Sequence, residues 1–138
     1  MTTEGTLEVQ LTEVLDELIT LIQETKQAEW STASPERSAL DDLMDFLRTQ
    51  VLAISEADER LTGGPPSILS PSARRPRNLA AEAGGDTDRL LELLVADLED
   101  VARDGRSREG SVDAAWSNRL EALAAGLERS ASALRAHG

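Results

Sequence analysis

Cysteine and tyrosine are absent from the 138-residue chain, which has only two tryptophans, one phenylalanine, one lysine and one histidine. Without cysteine the chain has neither a disulfide framework nor a thiolate metal site. No apolar run approaches the roughly 20 residues needed to cross a bilayer. Residues 1–10 lack the basic and apolar regions of a signal peptide, so we expect a cytoplasmic protein without membrane contact.

Positive charge is also scarce. The chain has 26 acidic and 14 basic residues and a net charge of −12, which repels nucleic-acid phosphates and attracts cations. Residues 1–10 contain no lysine or arginine, and the one basic cluster is Arg74, Arg75 and Arg77. These arginines can touch phosphate, pair with nearby acids or stay solvated. We expect no useful DNA binding at physiological salt.

The abundant residues are helix formers, and little in the composition favours a sheet. Apolar residues recur at steps of three and four in four segments, which predict helices over residues 6–31, 35–62, 86–104 and 111–136 in a single domain, 1–138. Ser34 and Pro35 are start signals for the second helix, and Asp86 or Thr87 can cap the third. Glycines at 105 and 110 interrupt the pattern after the third helix.

The lengths of the connections suggest how these helices pack. The first and second helices are joined by a short link, as are the third and fourth, whereas residues 62–86 form a long link with room for a short helix over 78–83. Two antiparallel pairs joined by one long crossover is the ferritin-like arrangement. The predicted fold is therefore an all-α, ferritin-like four-helix bundle.

Four carboxylates are predicted along one edge of the first helix pair. Glu29 continues the apolar stripe of the first helix, Asp41 and Asp45 lie one turn apart on the second, and Glu56 lies about three turns beyond Asp45. Clustered carboxylates at a helix interface hold metal ions in ferritin-like proteins. The alternative is an acidic, solvated helix edge, on which Asp41 favours the helix dipole.

Several motifs in the same regions resemble one family. "TKQAEW" (25–30) resembles the Thr-Lys-Gln-Ala-His-Trp segment that ends the first helix of Dps proteins, the mini-ferritins of starved bacteria. "SPERSALDDLMDF" (34–46), "ADERLTGGPP" (57–66) and the final "RSASALRAHG" are similar to later Dps segments in the same order. The resemblance implies a subunit of a hollow dodecamer. Such a shell oxidises ferrous iron between two-fold-related subunits, stores the ferric mineral inside and protects against oxidative stress.

The resemblance also implies a ligand set. The two histidines of the family fall on Glu29 and Asp41, and its nearby aspartate falls on Asp45. The aspartate and glutamate that a partner subunit contributes fall on Glu56 and Arg60, or on Glu59 in place of Arg60 if the following loop carries a deletion. The tryptophan beside the site falls on Trp30, which becomes the candidate for intercepting oxidants. A tryptophan at a helix end is more often an apolar anchor.

Replacing both histidines by carboxylates leaves an all-oxygen site, because the one histidine, His137, lies in the C-terminal tail. Such a site suits Fe²⁺ or Mn²⁺, but it is also compatible with a structural role, and an inward-pointing Arg60 would exclude metal by pairing with the acids. Three functions remain open: an iron-oxidising mini-ferritin, a Dps-like shell protein without ferroxidase activity that assembles alone or with a paralogue, and an unrelated helical interaction module.

Overall fold

The computed structural model describes residues 3–31, 36–62 and 78–137, with side-chain surroundings for 9–30, 37–57, 78–110 and 112–136. This part of the chain is all-helical and contains no strand. The elements, in chain order, are α1 (Thr3–Ser31), α2 (Glu36–Thr62), α3 (Leu79–Ala83), α4 (Thr87–Arg108), a single 3₁₀ turn (Glu109–Ser111) and α5 (Ala114–His137). The all-α prediction is confirmed.

Short polar residues fix several helix ends. Asp86 is the N-cap of α4, where its carboxylate accepts from the backbone N–H groups of Asp88 and Arg89 at 3.0 and 3.3 Å. Asn78 caps α3 in the same way, and Gly84 ends α3 in the left-handed conformation with φ 61°. The predicted cap of α2, Ser34 with Pro35, lies outside the described residues.

The largest departure from the predicted helix ends occurs in α4. This helix runs through Gly105 to Arg108, although the sequence pattern predicts an end at residue 104. Gly105 is buried against α5, and a Cβ at that position would meet only the carbonyl oxygen of Leu120 at 3.9 Å. Packing against α5 therefore stabilises the last turn despite the weak helix propensity of glycine. The other predicted ends differ from the observed ones by three residues or fewer.

The core is built from the leucine stripes of the four long helices. Six of its fully buried side chains are Leu18, Leu40, Leu47, Leu94, Leu98 and Leu127. These positions come from all four predicted apolar faces, as expected for helices that each bury one stripe. None of the helices in the described part of the chain combines the length and the apolarity needed to span a membrane.

The packing pairs define the arrangement of the bundle. The helix α1 packs against α2 and α4, α5 packs against the same two helices, and α3 fills the end between α1 and α4. Gln27, near the end of α1, accepts from the backbone N–H of Leu79 at 2.8 Å, whereas Glu17 pairs with Arg108 at the end of α4. The end of α1 thus lies beside α3, which directly precedes α4 in the chain, whereas an earlier part of α1 lies beside the end of α4. The helices α1 and α4 are therefore antiparallel. These pairs place α2 diagonal to α4, so the longest connection joins opposite corners of the bundle.

Candidate functional site

An open groove of about 650 Å³ lies between the last turns of α1 and the first half of α2. It brings together four of the six residues predicted for the site. Its lining consists of Lys26, Glu29, Trp30, Asp41, Met44, Asp45 and Arg48. Three carboxylates from two helices therefore lie in one solvent-open groove. The same groove contains the side chains of Lys26, Arg48, Trp30 and Met44.

Local helix geometry explains most of this placement. Asp41 and Asp45 are four residues apart on α2 and lie on the same side of the helix. Ala28, rather than Glu29, occupies the buried position at the end of α1, where it is 0% exposed. Glu29 lies one residue further along, about 100° around the helix, and is half-buried at the rim of the core. The expectation that Glu29 continues the buried stripe was therefore wrong by one position.

Two acids of the groove, Glu29 on α1 and Asp41 on α2, interact with one another. Partial burial raises the pKa of Glu29, and the charge of Asp41 and a hydrogen bond between the two side chains raise it further. The positive charges of Arg37 and Arg48 oppose this shift. The raised pKa means that Glu29 holds its proton more firmly than an isolated glutamate does.

The basic side chains of the groove were not recognised from the sequence. Lys26 lies three residues before Glu29 on α1, and Arg48 lies three residues after Asp45 on α2. This spacing places each cation beside an acid on its own helix, which was a signal available in the sequence. With three acids and two cations, the groove of one chain has much of its negative charge balanced internally.

Trp30 lines the groove but is not packed into the protein. Its side chain is 90% exposed, the highest value among the large apolar residues of the described part of the chain. It therefore does not anchor α1 within a single chain. Trp116 differs, because it is partly buried against the core and the guanidinium of Arg119 lies 5.1 Å from its ring centroid.

The remaining predicted residues lie away from the groove or outside the described side chains. Glu56 is exposed on α2, eleven residues beyond Asp45 and thus about 16 Å further along the helix. The side chains of Glu59, Arg60 and His137 are outside the described set. The arginine cluster at residues 74–77 lies outside the described residues altogether.

In the described part of the chain, no group of three or more acidic or histidine side chains is arranged to hold a metal ion. The structure instead reveals buried acids that the sequence reasoning missed, namely Glu17, Glu24 and Asp97. Glu17 and Glu24 each lie three residues after a buried apolar residue of α1. That spacing was a usable sign that they face the interior.

A search against protein-family models finds no match, and a search of curated proteins also finds none.

Proposed function

We propose that the chain is the subunit of a Dps-like mini-ferritin that takes up ferrous iron, oxidises it and keeps the ferric product inside a hollow shell. The observation that carries this proposal is the meeting of Glu29, Trp30, Asp41 and Asp45 at one groove. These four positions are the ones onto which the metal ligands and the tryptophan of the Dps family fall. They come from two helices and from two separate motifs.

The arrangement of the helices supports the same class. Antiparallel pairs α1–α2 and α4–α5, with the longest connection between diagonal helices and the short α3 at its end, fit a ferritin-like four-helix bundle. The short helix falls where the sequence resemblance implies one. We would not expect an unrelated helical module to combine a long link between diagonal helices with a groove lined by Glu29, Asp41 and Asp45.

The chemistry of the groove suits a hard divalent cation. Carboxylate oxygens favour Fe²⁺ and Mn²⁺ over metals that prefer sulfur or nitrogen ligands. Asp41 and Asp45 would approach an ion from α2 and Glu29 from α1. Iron is the substrate here, and Mn²⁺ is the alternative ion for the same oxygen ligands.

A second subunit would complete the ligand set. Glu56 and Glu59 lie too far along α2 to join the acids of their own chain, but a two-fold-related copy can bring them to the groove. The exposure of Trp30 and Leu52, at 90% and 62%, is consistent with a partner covering this side of α1 and α2. The proposed assembly is a homo-oligomer, and by resemblance a dodecamer.

Lys26 and Arg48 support a second candidate, a Dps-like shell protein without ferroxidase activity. Ammonium and guanidinium groups beside three carboxylates supply the positive charge that a metal ion otherwise supplies. Such a subunit would assemble alone or beside an active paralogue without loading iron at this groove. The two candidates share a shell and differ in iron uptake.

Analytical ultracentrifugation after anaerobic Fe²⁺ loading and a peroxide pulse distinguishes these functions when protein and iron absorbance are recorded together. We expect a single heavy species, about twelve times 14.9 kDa, that carries iron absorbance. A heavy species without iron favours the shell protein that lacks ferroxidase activity. A single-chain species contradicts the assembly and favours the unrelated helical module.

The variant Asp45→Asn tests the ligand set. It removes one anionic oxygen from the groove, and we expect iron uptake to fall to background while the assembly mass stays unchanged. Asp42→Asn is the matched control, because Asp42 is also an exposed aspartate of α2 but lines a different groove, beside α5. Normal iron loading by Asp45→Asn would show that the proposed ligands are wrong.

A further inference from the structure

Met44 supplies a thioether to the wall of the groove between α1 and α2. The residue is only 4% exposed, but it does not belong to the cluster of core side chains that its neighbours Leu43 and Leu47 join. A buried methionine usually fills a gap in such a core. Here the methionine lies at the edge of a solvent-open groove instead, so a small molecule in the groove can reach it.

Two cationic side chains line the same groove. Arg48 follows Met44 by four residues on α2, so the two lie one turn apart on the same side of the helix. Lys26 lines the groove from α1, and both cations are exposed. Ammonium and guanidinium groups are hydrogen-bond donors without acceptor atoms. The groove therefore offers positively charged N–H donors close to a thioether.

A thioether is the reducing partner in one well-defined reaction with hydrogen peroxide. A lone pair of the sulfur attacks one peroxide oxygen, the O–O bond breaks and an S–O bond forms. The other oxygen leaves as hydroxide, which takes the proton of the transferred oxygen and becomes water. The sulfur loses two electrons, the peroxide gains two, and the methionine becomes a sulfoxide.

The charges of the groove match the charges that develop in this reaction. The leaving oxygen becomes negative, and donors such as Arg48 and Lys26 stabilise developing negative charge when they are already in place. The sulfur becomes positive, and Asp41 lies three residues before Met44 on the same side of α2. Hydrogen peroxide is little larger than water, so the open groove admits it.

We propose that Met44 is a peroxide-reducing thioether of the α1–α2 groove, at which Arg48 and Lys26 donate to the leaving oxygen. Each chain reduces one peroxide to water and is left with a sulfoxide at this position. Methionine sulfoxide reductases are the class of enzyme that restores the thioether. The reaction needs no iron and is additional to the proposed iron oxidation.

Peroxide treatment of the full-length protein, freed of iron and kept with a chelator, measures this reactivity. Tandem mass spectrometry locates the added oxygen on Met44, separately from Trp30, and a time course gives the rate. N-acetylmethionine amide in the same tube is the exposed reference. Because methionine oxidation normally follows exposure, an enclosed, unassisted Met44 would react far more slowly than the reference. We expect at least half the reference rate, and a slower reaction would overturn the proposal.

The variant Arg48→Ala separates donation from access. It removes the guanidinium and opens the groove, so Met44 would react faster or at the same rate if access alone mattered. We expect the rate to fall at least about threefold, less than the roughly 100-fold loss of a donor in a closed active site, because water enters this groove. Lys26→Ala, combined with Arg48→Ala, should lower the rate further.

Arg37→Ala is the matched control, because Arg37 is also an exposed arginine of α2 but is not among the residues that line the groove. Its rate should match the wild type, and circular dichroism checks that each variant keeps its helix content. A rate in Arg48→Ala that falls less than threefold would contradict the role of the donor. Since no iron is present, a failure of iron uptake at the groove would leave these results unchanged.

Discussion

Gly126 and Phe46 meet where α5 packs against α2. A Cβ added at Gly126 would lie 2.8 Å or less from three atoms of the Phe46 ring, closer than real side chains approach one another. Gly126 is buried and Phe46 partly buried against the core. Position 126 of α5 needs a glycine because the Phe46 ring occupies the space that a Cβ would take. The glycine lowers the helix propensity of α5 at this position.

Gly126→Ala is therefore expected to destabilise the protein, in contrast to the usual effect of alanine in a helix. Displacing the ring typically costs 1–3 kcal/mol, against a gain of about 1 kcal/mol in propensity, so we expect a net loss of about 1 kcal/mol. Urea denaturation of this variant, of Phe46→Ala and of the double variant measures the coupling. In the Phe46→Ala background, the alanine should become stabilising.

Gly105→Ala is the control for this prediction, because it introduces the same side chain into a helix where the nearest outside atom is at an ordinary 3.9 Å. It should stabilise the protein by about 0.5–1 kcal/mol. Equal effects of the two alanines would show that the Phe46 contact does not decide the residue at position 126.

At the scale of elements, Arg106 ties α4 to α5. Its guanidinium donates to Glu121 at 3.0 and 3.1 Å and to Glu128 at 2.5 and 2.7 Å, so one side chain spans two turns of the neighbouring helix. The hydrogen bonds from Arg106 lower the pKa of both Glu121 and Glu128. A three-residue network of this geometry is a better stabiliser than an isolated surface pair.

Arg106→Gln should lower the melting temperature at neutral pH by a few degrees, and less at high ionic strength because salt screens the network. Since Glu121 and Glu128 have lowered pKa values, their contribution is present above the ordinary pKa of 4.5 and is lost as the pH falls below it. The difference between variant and wild type should therefore vanish near pH 3, as followed by circular dichroism.

Arg89→Gln provides the comparison, because Arg89 forms an exposed ion pair with Glu92, one turn away on the same helix. We expect almost no change in melting temperature for this variant. If the two arginine variants behave alike at neutral pH, the bridge between α4 and α5 does not add to stability.

At the scale of the whole molecule, the exposed large apolar side chains of the described residues all belong to α1 and α2. Val9, Trp30 and Leu52 are 57%, 90% and 62% exposed, and they are the exposed large apolar residues of the described part of the chain. All three belong to the helix pair that also forms the candidate metal groove. Assembly through this side would bury them and would bring a second chain to the groove.

Leu52→Glu should convert the proposed shell into a lighter species without unfolding the subunit. Leu52 is already largely exposed in one chain, so a glutamate at this position should not disturb the subunit fold. In a buried contact between subunits, however, the charge of the glutamate would lose its solvent, which is costly. Sedimentation velocity gives the mass, and circular dichroism gives the helix content. Ala96→Glu, on the exposed face of α4, is the control expected to retain the mass of the wild type.

The amino-acid sequence by itself was sufficient for the all-α class, the four leucine stripes and a cap at Asp86 or Thr87, of which the structure has Asp86. These features depend on residues three or four positions apart, whose relation is fixed by the helix alone. The same local rule placed Asp41 and Asp45 on one side of α2. The predicted end of α4 at residue 104 was wrong, because packing against α5 outweighs the low helix propensity of Gly105.

Only the tertiary structure decided which helix faces meet. The sequence does not state the register between α1 and α4, so the ion pair between Glu17 and Arg108 was not predicted. Lys26 and Arg48 were overlooked for a different reason, since each lies three residues from an acid on its own helix and that spacing is visible in the sequence. A helix determines its own faces by local geometry, whereas charges separated by tens of residues become neighbours only when the whole bundle has packed.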